Sequence, residues 1–137
     1  MVAGPAWALG LIYLLDTSVA IHLRDGNESV QRRVKDLDGR VCLSLLTRIE
    51  LESGAVRGNE ASLRRDRLDV ILSIFETLPM DVSVADRYRE IIEAAGYARA
   101  RVLDRMIAAH ALALEATVVT MNGKDFSDIP ALKLLAW

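Results

Sequence analysis

Tyr13-Leu14-Leu15-Asp16-Thr17-Ser18 ends an apolar run abruptly on a carboxylate followed by two hydroxyls. In open α/β sheets ligands bind outside the carboxyl ends of the strands, so an acid at the last position of a buried strand is already aimed at a site. The local alternative is a helix N-cap, because Asp, Ser and Thr all accept the free backbone N–H groups of a following helix. Which reading holds depends on whether other acids occupy equivalent places.

Further along the chain, short β-rich runs alternate with longer helical periodicities, the pattern of βα units around a mostly parallel sheet. The strand candidates are Leu11 to Leu15, Val41 to Leu45, Glu76 to Met80, Thr117 to Met121 and Leu132 to Ala136. Their near-continuous apolar character suits strands covered on both faces. Between them, Val30, Val34 and Leu37 make one helical face that Gly39 ends, and Leu68, Ile71, Leu72 and Phe75 make another. Val84, Tyr88, Ile91, Ile92 and Ala95 form a third, with Gly96 in the place of a C-terminal cap. Ser83 and Asp86 have capping-box spacing, which assigns Asp86 to helix stability.

Three further acidic positions follow a strand or open a helix. Glu50 lies in Thr47-Arg48-Ile49-Glu50-Leu51, just past the second strand, where Thr47 and Glu50 also have capping-box spacing. Asp104 opens the Ala-rich helical segment Asp104 to Leu112, where the helix dipole alone favours an acid. The last strand-end turn, Thr120-Met121-Asn122-Gly123-Lys124-Asp125-Phe126, carries Asn122 and Asp125, and polar residues are ordinary in turns. Each acid has a local explanation, but their joint placement does not: a parallel sheet brings all four to one edge. Clustered carboxylates repel one another unless a cation sits among them. Oxygen ligands of this kind favour Mg²⁺ or Mn²⁺, which can polarise a phosphoryl oxygen and lower the pKa of a bound water.

Composition narrows the alternatives. With 137 residues, 52% of them hydrophobic, the chain is long enough for one well-buried core and short for two domains. A formal net charge of −2 lacks the strongly basic footprint of many nucleic-acid binders, although a metal can supply positive charge at the point of contact. Cys42 has no partner for an intrachain disulfide, so a reducing cytoplasm is expected. Two histidines and one cysteine cannot furnish a His/Cys-rich zinc site. Residues 1–10 are apolar, lack a basic leader segment and break at Gly4-Pro5 and Gly10, so they read as an N-terminal extension ahead of a domain spanning 11–137. No stretch approaches the ~18 uninterrupted apolar residues of a membrane span.

With these residues in view, the chain from about Ile12 to its C-terminus resembles the PIN-domain ribonucleases of the VapC toxin type. The likeness rests on Leu15-Asp16-Thr17-Ser18, on Thr47-Arg48-Ile49-Glu50-Leu51 with Gly54, on Asp104-Arg105-Met106-Ile107-Ala108-Ala109, and on the Thr120 to Phe126 turn, in this order and spacing. The resemblance implies a three-layer α/β/α fold whose five-stranded parallel sheet has the order 3-2-1-4-5. It makes Asp16, Glu50 and Asp104 the core metal-site acids, with Ser18 and Thr17 in support. The fourth position departs from the family pattern: Asn122 stands where many relatives carry Asp, and the next acid is Asp125, so either residue completes the catalytic set. The implied activity is endonucleolytic cleavage of RNA by a metal-activated water with Mg²⁺ or Mn²⁺, leaving a 5′-phosphate and a 3′-hydroxyl. The implied partners are a small VapB-type antitoxin and a second copy of the chain in a homodimer, with no membrane.

Within that resemblance, Arg48, Arg99, Arg101, Arg105 and Lys124 lie beside the acidic motifs and are candidates to hold RNA phosphates, the alternative being solvated surface charge. Arg64, Arg65 and Arg67 read as exposed helix charges. His110 falls on the apolar face of its helix and is expected to be a packed histidine rather than a catalytic base, and His22 is read the same way. The competing function is a catalytically weakened PIN-like module that binds or regulates, for which Asn122 is the supporting feature.

Overall fold

The computed structural model describes residues 11–137; the N-terminal extension lies outside the described residues. Five strands, β1 (Ile12–Leu15), β2 (Arg40–Ser44), β3 (Glu76–Leu78), β4 (Thr117–Thr120) and β5 (Lys133–Ala136), form one sheet in the order β3-β2-β1-β4-β5. Every pairing is parallel. Six helices are described: α1 (Thr17–Arg24), α2 (Glu28–Lys35), α3 (Leu45–Gly54), α4 (Ala61–Ile74), α5 (Val82–Ala95) and α6 (Val102–Leu114). The resemblance-based expectation for sheet and topology is met.

The pleat divides the apolar strands into two cores. Leu14, with Cys42 and Val118 in register beside it, packs with Val84, Ile91 and Ile107 of α5 and α6. Leu15, in register with Leu43 and Val119, packs with Val19, Leu51, Leu68 and Ile71 of α1, α3 and α4. Side chains alternate across a strand, so helices are needed on both faces and the result is three layers.

Element ends differ from the sequence reading for identifiable reasons. Leu45 begins α3 instead of ending β2, because the Ser44 hydroxyl accepts from the Leu46 N–H and starts the helix there. β3 stops at Leu78, before Pro79, which has no N–H for the ladder. β5 begins at Lys133, after Ala131 turns the backbone left-handed at φ 63°. Asp81, not Ser83, caps α5: its carboxylate accepts from the Ser83 N–H at 2.9 Å, and Asp86 is an exposed residue within the helix. Gly96 ends α5 at φ 83°, as expected. Gly39 does not end a helix, since α2 is already over at Lys35. It lies so close to β1 that a Cβ there would stand 2.8 Å from the Leu11 carbonyl oxygen. No helix of the described residues is long and apolar enough to cross a membrane.

Candidate active site

The register of the sheet builds the site. Leu15 lies beside Leu43 and Val119, so the next residues, Asp16, Ser44 and Thr120, form one polar row at the carboxyl ends of β1, β2 and β4. Asp16 occupies the N-cap position of α1 but makes no capping bond. Its Oδ2 accepts instead from Ser18 Oγ at 3.0 Å and from Thr120 Oγ1 at 2.8 Å. Oδ1 has no partner among the described residues. A 4%-exposed carboxylate held on one oxygen and free on the other is prepared to bind something. The Thr120 hydroxyl also accepts from the Asn122 N–H, and Ser18 Oγ accepts from the Met121 N–H, so the turn after β4 is tied to the same acid.

Glu50 does not cap α3, whose N-cap is Ser44. Thr17 Oγ1 donates to Glu50 Oε1 at 2.7 Å and lies 3.2 Å from Thr47 Oγ1. Thr47, fully buried, reaches back to the Leu15 carbonyl at 3.4 Å. The capping-box spacing thus serves a tertiary contact: the threonine fixes α3 against β1 while the glutamate turns toward the Asp16 end of the sheet.

Asp104 sits in the first turn of α6 and is pushed up to about 6. Burial is the main cause, followed by repulsion from Asp16, Asp125 and Glu50, with Arg101 opposing. The four acids therefore share one electrostatic environment. Asp125 is the fourth member. Asn122 is exposed, and its hydrogen bonds are made by its backbone: the N–H donates to Thr120 Oγ1 and the carbonyl accepts from the Asp125 N–H. All donors are hard oxygens without a histidine or thiol among them, which suits Mg²⁺ or Mn²⁺ and not zinc. As the side chains stand, no three of them close around a single ion among the described residues.

The basic candidates divide. Arg101 donates to the Asp125 carbonyl at 3.1 Å, and Arg99 and Lys124 are exposed nearby. Arg48 is exposed and engaged with Glu52 at 3.6 Å. Arg105 is a correction: it is 2% exposed, bonded to the Gly96 carbonyl and paired with Asp128 at 3.1 Å, so it fastens the start of α6 and cannot reach RNA. Of the helix charges, Arg65 pairs with Glu52 and Asp69, while Arg64 is partly buried and donates to the Gly54 and Arg57 carbonyls. His110 is packed as expected. Its Nε2 donates to the Pro79 carbonyl at 3.0 Å, leaving Nδ1 to accept from Ser44 at 2.9 Å. Burial lowers its pKa, so it stays neutral. His22 is not packed; it lies on the exposed side of α1.

The PIN-domain profile matches residues 13–132. The chain belongs to the PIN-domain family, in its VapC branch. Ribonuclease VapC2 of Rickettsia felis is 29% identical over 133 residues, covering 93% of this chain and 98% of that protein. The tRNA(fMet)-specific endonuclease VapC of Salmonella typhimurium is 30% identical over 134 residues, with the same coverage. Among solved structures, VapBC2 from Rickettsia felis bound to a DNA fragment from their promoter superposes with a TM-score of 0.84 at 28% identity, over 93% of this PIN domain and 99% of that chain. Thr120 and Thr47, quoted in the motifs without a part in the site, turn out to build it. The signal for Thr120 was its place beside Asp16 once β1 and β4 are taken as parallel neighbours.

Proposed function

We propose that this PIN domain is a VapC-type endoribonuclease toxin, dependent on Mg²⁺ or Mn²⁺ and held silent by a VapB-type antitoxin. The observation that carries the reading is the convergence of Asp16, Glu50 and Asp125 on Asp104, whose partly buried carboxyl all three reach electrostatically. The names of the relatives, ribonuclease and tRNA-specific endonuclease, support RNA as substrate, and the VapBC neighbour supports an antitoxin.

Asp16, Glu50 and Asp104 would hold the ion, with Asp125 completing the charge. When bound, the ion supplies neutralisation of the phosphodiester, a lowered pKa for water and stabilisation of the developing charge. The protein's share is orientation. Ser18 and Thr120 fix one oxygen of Asp16 so that the other faces the ligand, and Thr17 fixes Glu50. Hydrolysis then leaves a 5′-phosphate and a 3′-hydroxyl with no covalent enzyme intermediate. Because Asp125 supplies a fourth carboxylate where Asn122 does not, the active reading is favoured over a weakened binding module. Leu45 and Ile49 on α3 and Leu103 on α6 stay 38%, 52% and 48% exposed on the helices that carry Glu50 and Asp104, which supports pairing of two copies beside their acidic sites.

The test is incubation of the purified, antitoxin-free chain with total RNA in Mg²⁺ or Mn²⁺, beside Asp16→Ala and an EDTA control. Discrete cleavage lost in both controls is expected. Cleavage that survives Asp16→Ala refutes the assignment of the site.

A further inference from the structure

Beside Glu50, on the α1–α3–α4 side of the sheet, lies a depression of about 320 Å³ lined by Thr17, Arg24, Glu50, Gly54, Arg57 and Arg64. Arg24, in the last turn of α1, is 8% exposed, yet only its Nε is engaged, with Asp25 at 3.0 Å. Its two Nη groups have no acceptor among the described residues. A Cβ on Gly54 would stand 3.4 Å from Arg24 Nη1, which places the guanidinium against the α3 backbone at that position. Arg64 is anchored by the Gly54 and Arg57 carbonyls at 3.3 and 2.8 Å, and the exposed Arg57 side chain has no partner among the described residues.

The Arg24 Nη groups are not sealed from solvent, so they present a guanidinium fork with free donors to whatever occupies the depression. Three guanidinium groups here face one lining carboxylate, Glu50, which is already engaged by Thr17. We propose that this depression is a phosphate-binding subsite that holds an RNA phosphate flanking the scissile one; the proposal rests on the ribonuclease reading above. Arg24 and Arg57 are its ligands, and Arg64 is a positioning residue that shapes the α3–α4 connection. The shared wall of Glu50 and Thr17 is what selects RNA over a protein carboxylate. A chain of regularly spaced phosphates lying across the acids runs on into the arginines, whereas a single carboxylate would have no reason to sit next to the reacting centre. Planar guanidinium forks suit phosphate oxygens.

The experiment measures binding of a short labelled single-stranded RNA by anisotropy across a salt series, using the full chain carrying Asp104→Asn so that RNA stays uncut. Arg57→Gln and Arg24→Gln are added to it, with Arg89→Gln as the control, an exposed arginine on α5 paired with Glu93. Loss of a charged contact predicts roughly tenfold weaker binding for each test variant. The slope of log affinity against log salt should fall by about 0.7 per lost phosphate. The control should match its parent. In the cleaving chain, Arg57→Gln should raise KM and spare kcat. Parent-like affinity and slope in both variants would overturn the subsite, as would variants that weaken only an antitoxin complex. If the parent binds no RNA the subsite is also overturned, and cleavage of total RNA by the wild-type chain then decides separately whether the ribonuclease reading stands.

Discussion

Replacing Asp104 by Asn should make this protein more stable while abolishing its activity. The carboxyl is raised from its ordinary 3.8 to about 6 by burial and by three neighbouring acids. At about 1.4 kcal/mol per pH unit, that rise corresponds to about 3 kcal/mol of penalty once the group is ionised in the fold. Asp104 is only partly buried, so screening reduces this to roughly 1–2 kcal/mol. The sign follows from linkage. Below about pH 3.8 the acid is protonated in both folded and unfolded chains and costs nothing. Between 3.8 and about 6 the unfolded chain releases the proton first, so stability falls as pH rises, and above about 6 the penalty is complete. Asp104→Asn should therefore melt roughly 4–8 °C higher than wild type at pH 8 in EDTA, with the gap closing by pH 4. Adding Mn²⁺ should raise the wild-type melting temperature and leave the variant's nearly unchanged. Differential scanning calorimetry at the two pH values decides the matter. A variant that melts at or below wild type at pH 8, or by the same margin at both pH values, would refute electrostatic crowding at this position.

Three other outcomes are expected. Thr120→Val removes the 2.8 Å donor to Asp16 and the acceptor of the Asn122 N–H inside a fully buried site, and should cost roughly 1–3 kcal/mol by thermal melt and lower kcat more than it raises KM. Asp125→Asn should weaken Mn²⁺ affinity, read by isothermal titration, and cleavage by roughly tenfold or more, while Asn122→Ala, which removes only an exposed amide, should change both by less than about threefold. Arg105→Met should lower stability by roughly 2–4 kcal/mol, because Asp128 and the Gly96 carbonyl lose their partner, yet leave the salt dependence of RNA affinity at the wild-type slope.

Much of the fold was legible because it depends on burial on both faces of a sheet, which leaves long apolar runs. All five strands and the three quoted helical faces lie where that periodicity puts them, within a few residues. The errors fall where local and tertiary demands use the same residue types. Thr47 and Glu50 have capping-box spacing, but Ser44 three residues earlier already starts the helix, so the two side chains are free for contacts with β1 and Thr17. Arg105 looked like a phosphate ligand because it follows Asp104. Its own helical stripe, Ala108, Ala109 and Leu112, is apolar, and that periodicity was the sign of burial. Arg24 was illegible for the opposite reason: nothing in Leu23-Arg24-Asp25 distinguishes it from a solvated helix end. Its burial comes from packing near Gly54, thirty residues away in sequence.

At the Asn122 departure the backbone turns tightly. Residues Gly123–Asp125 form a 3₁₀ turn with Asn122 as its cap, closed by the Asp125 N–H donating to the Asn122 carbonyl at 3.0 Å. Asn122 stays exposed while Asp125, at the end of the turn, is partly buried. The same stretch is held from both ends, by Thr120 at the Asn122 N–H and by Arg101 at the Asp125 carbonyl. A carboxylate displaced by three residues along the sequence is thus brought back among Asp16, Glu50 and Asp104, where its charge is felt in the raised pKa of Asp104. The acid missing at position 122 is therefore offset in charge by Asp125, which lies near enough to be felt at Asp104.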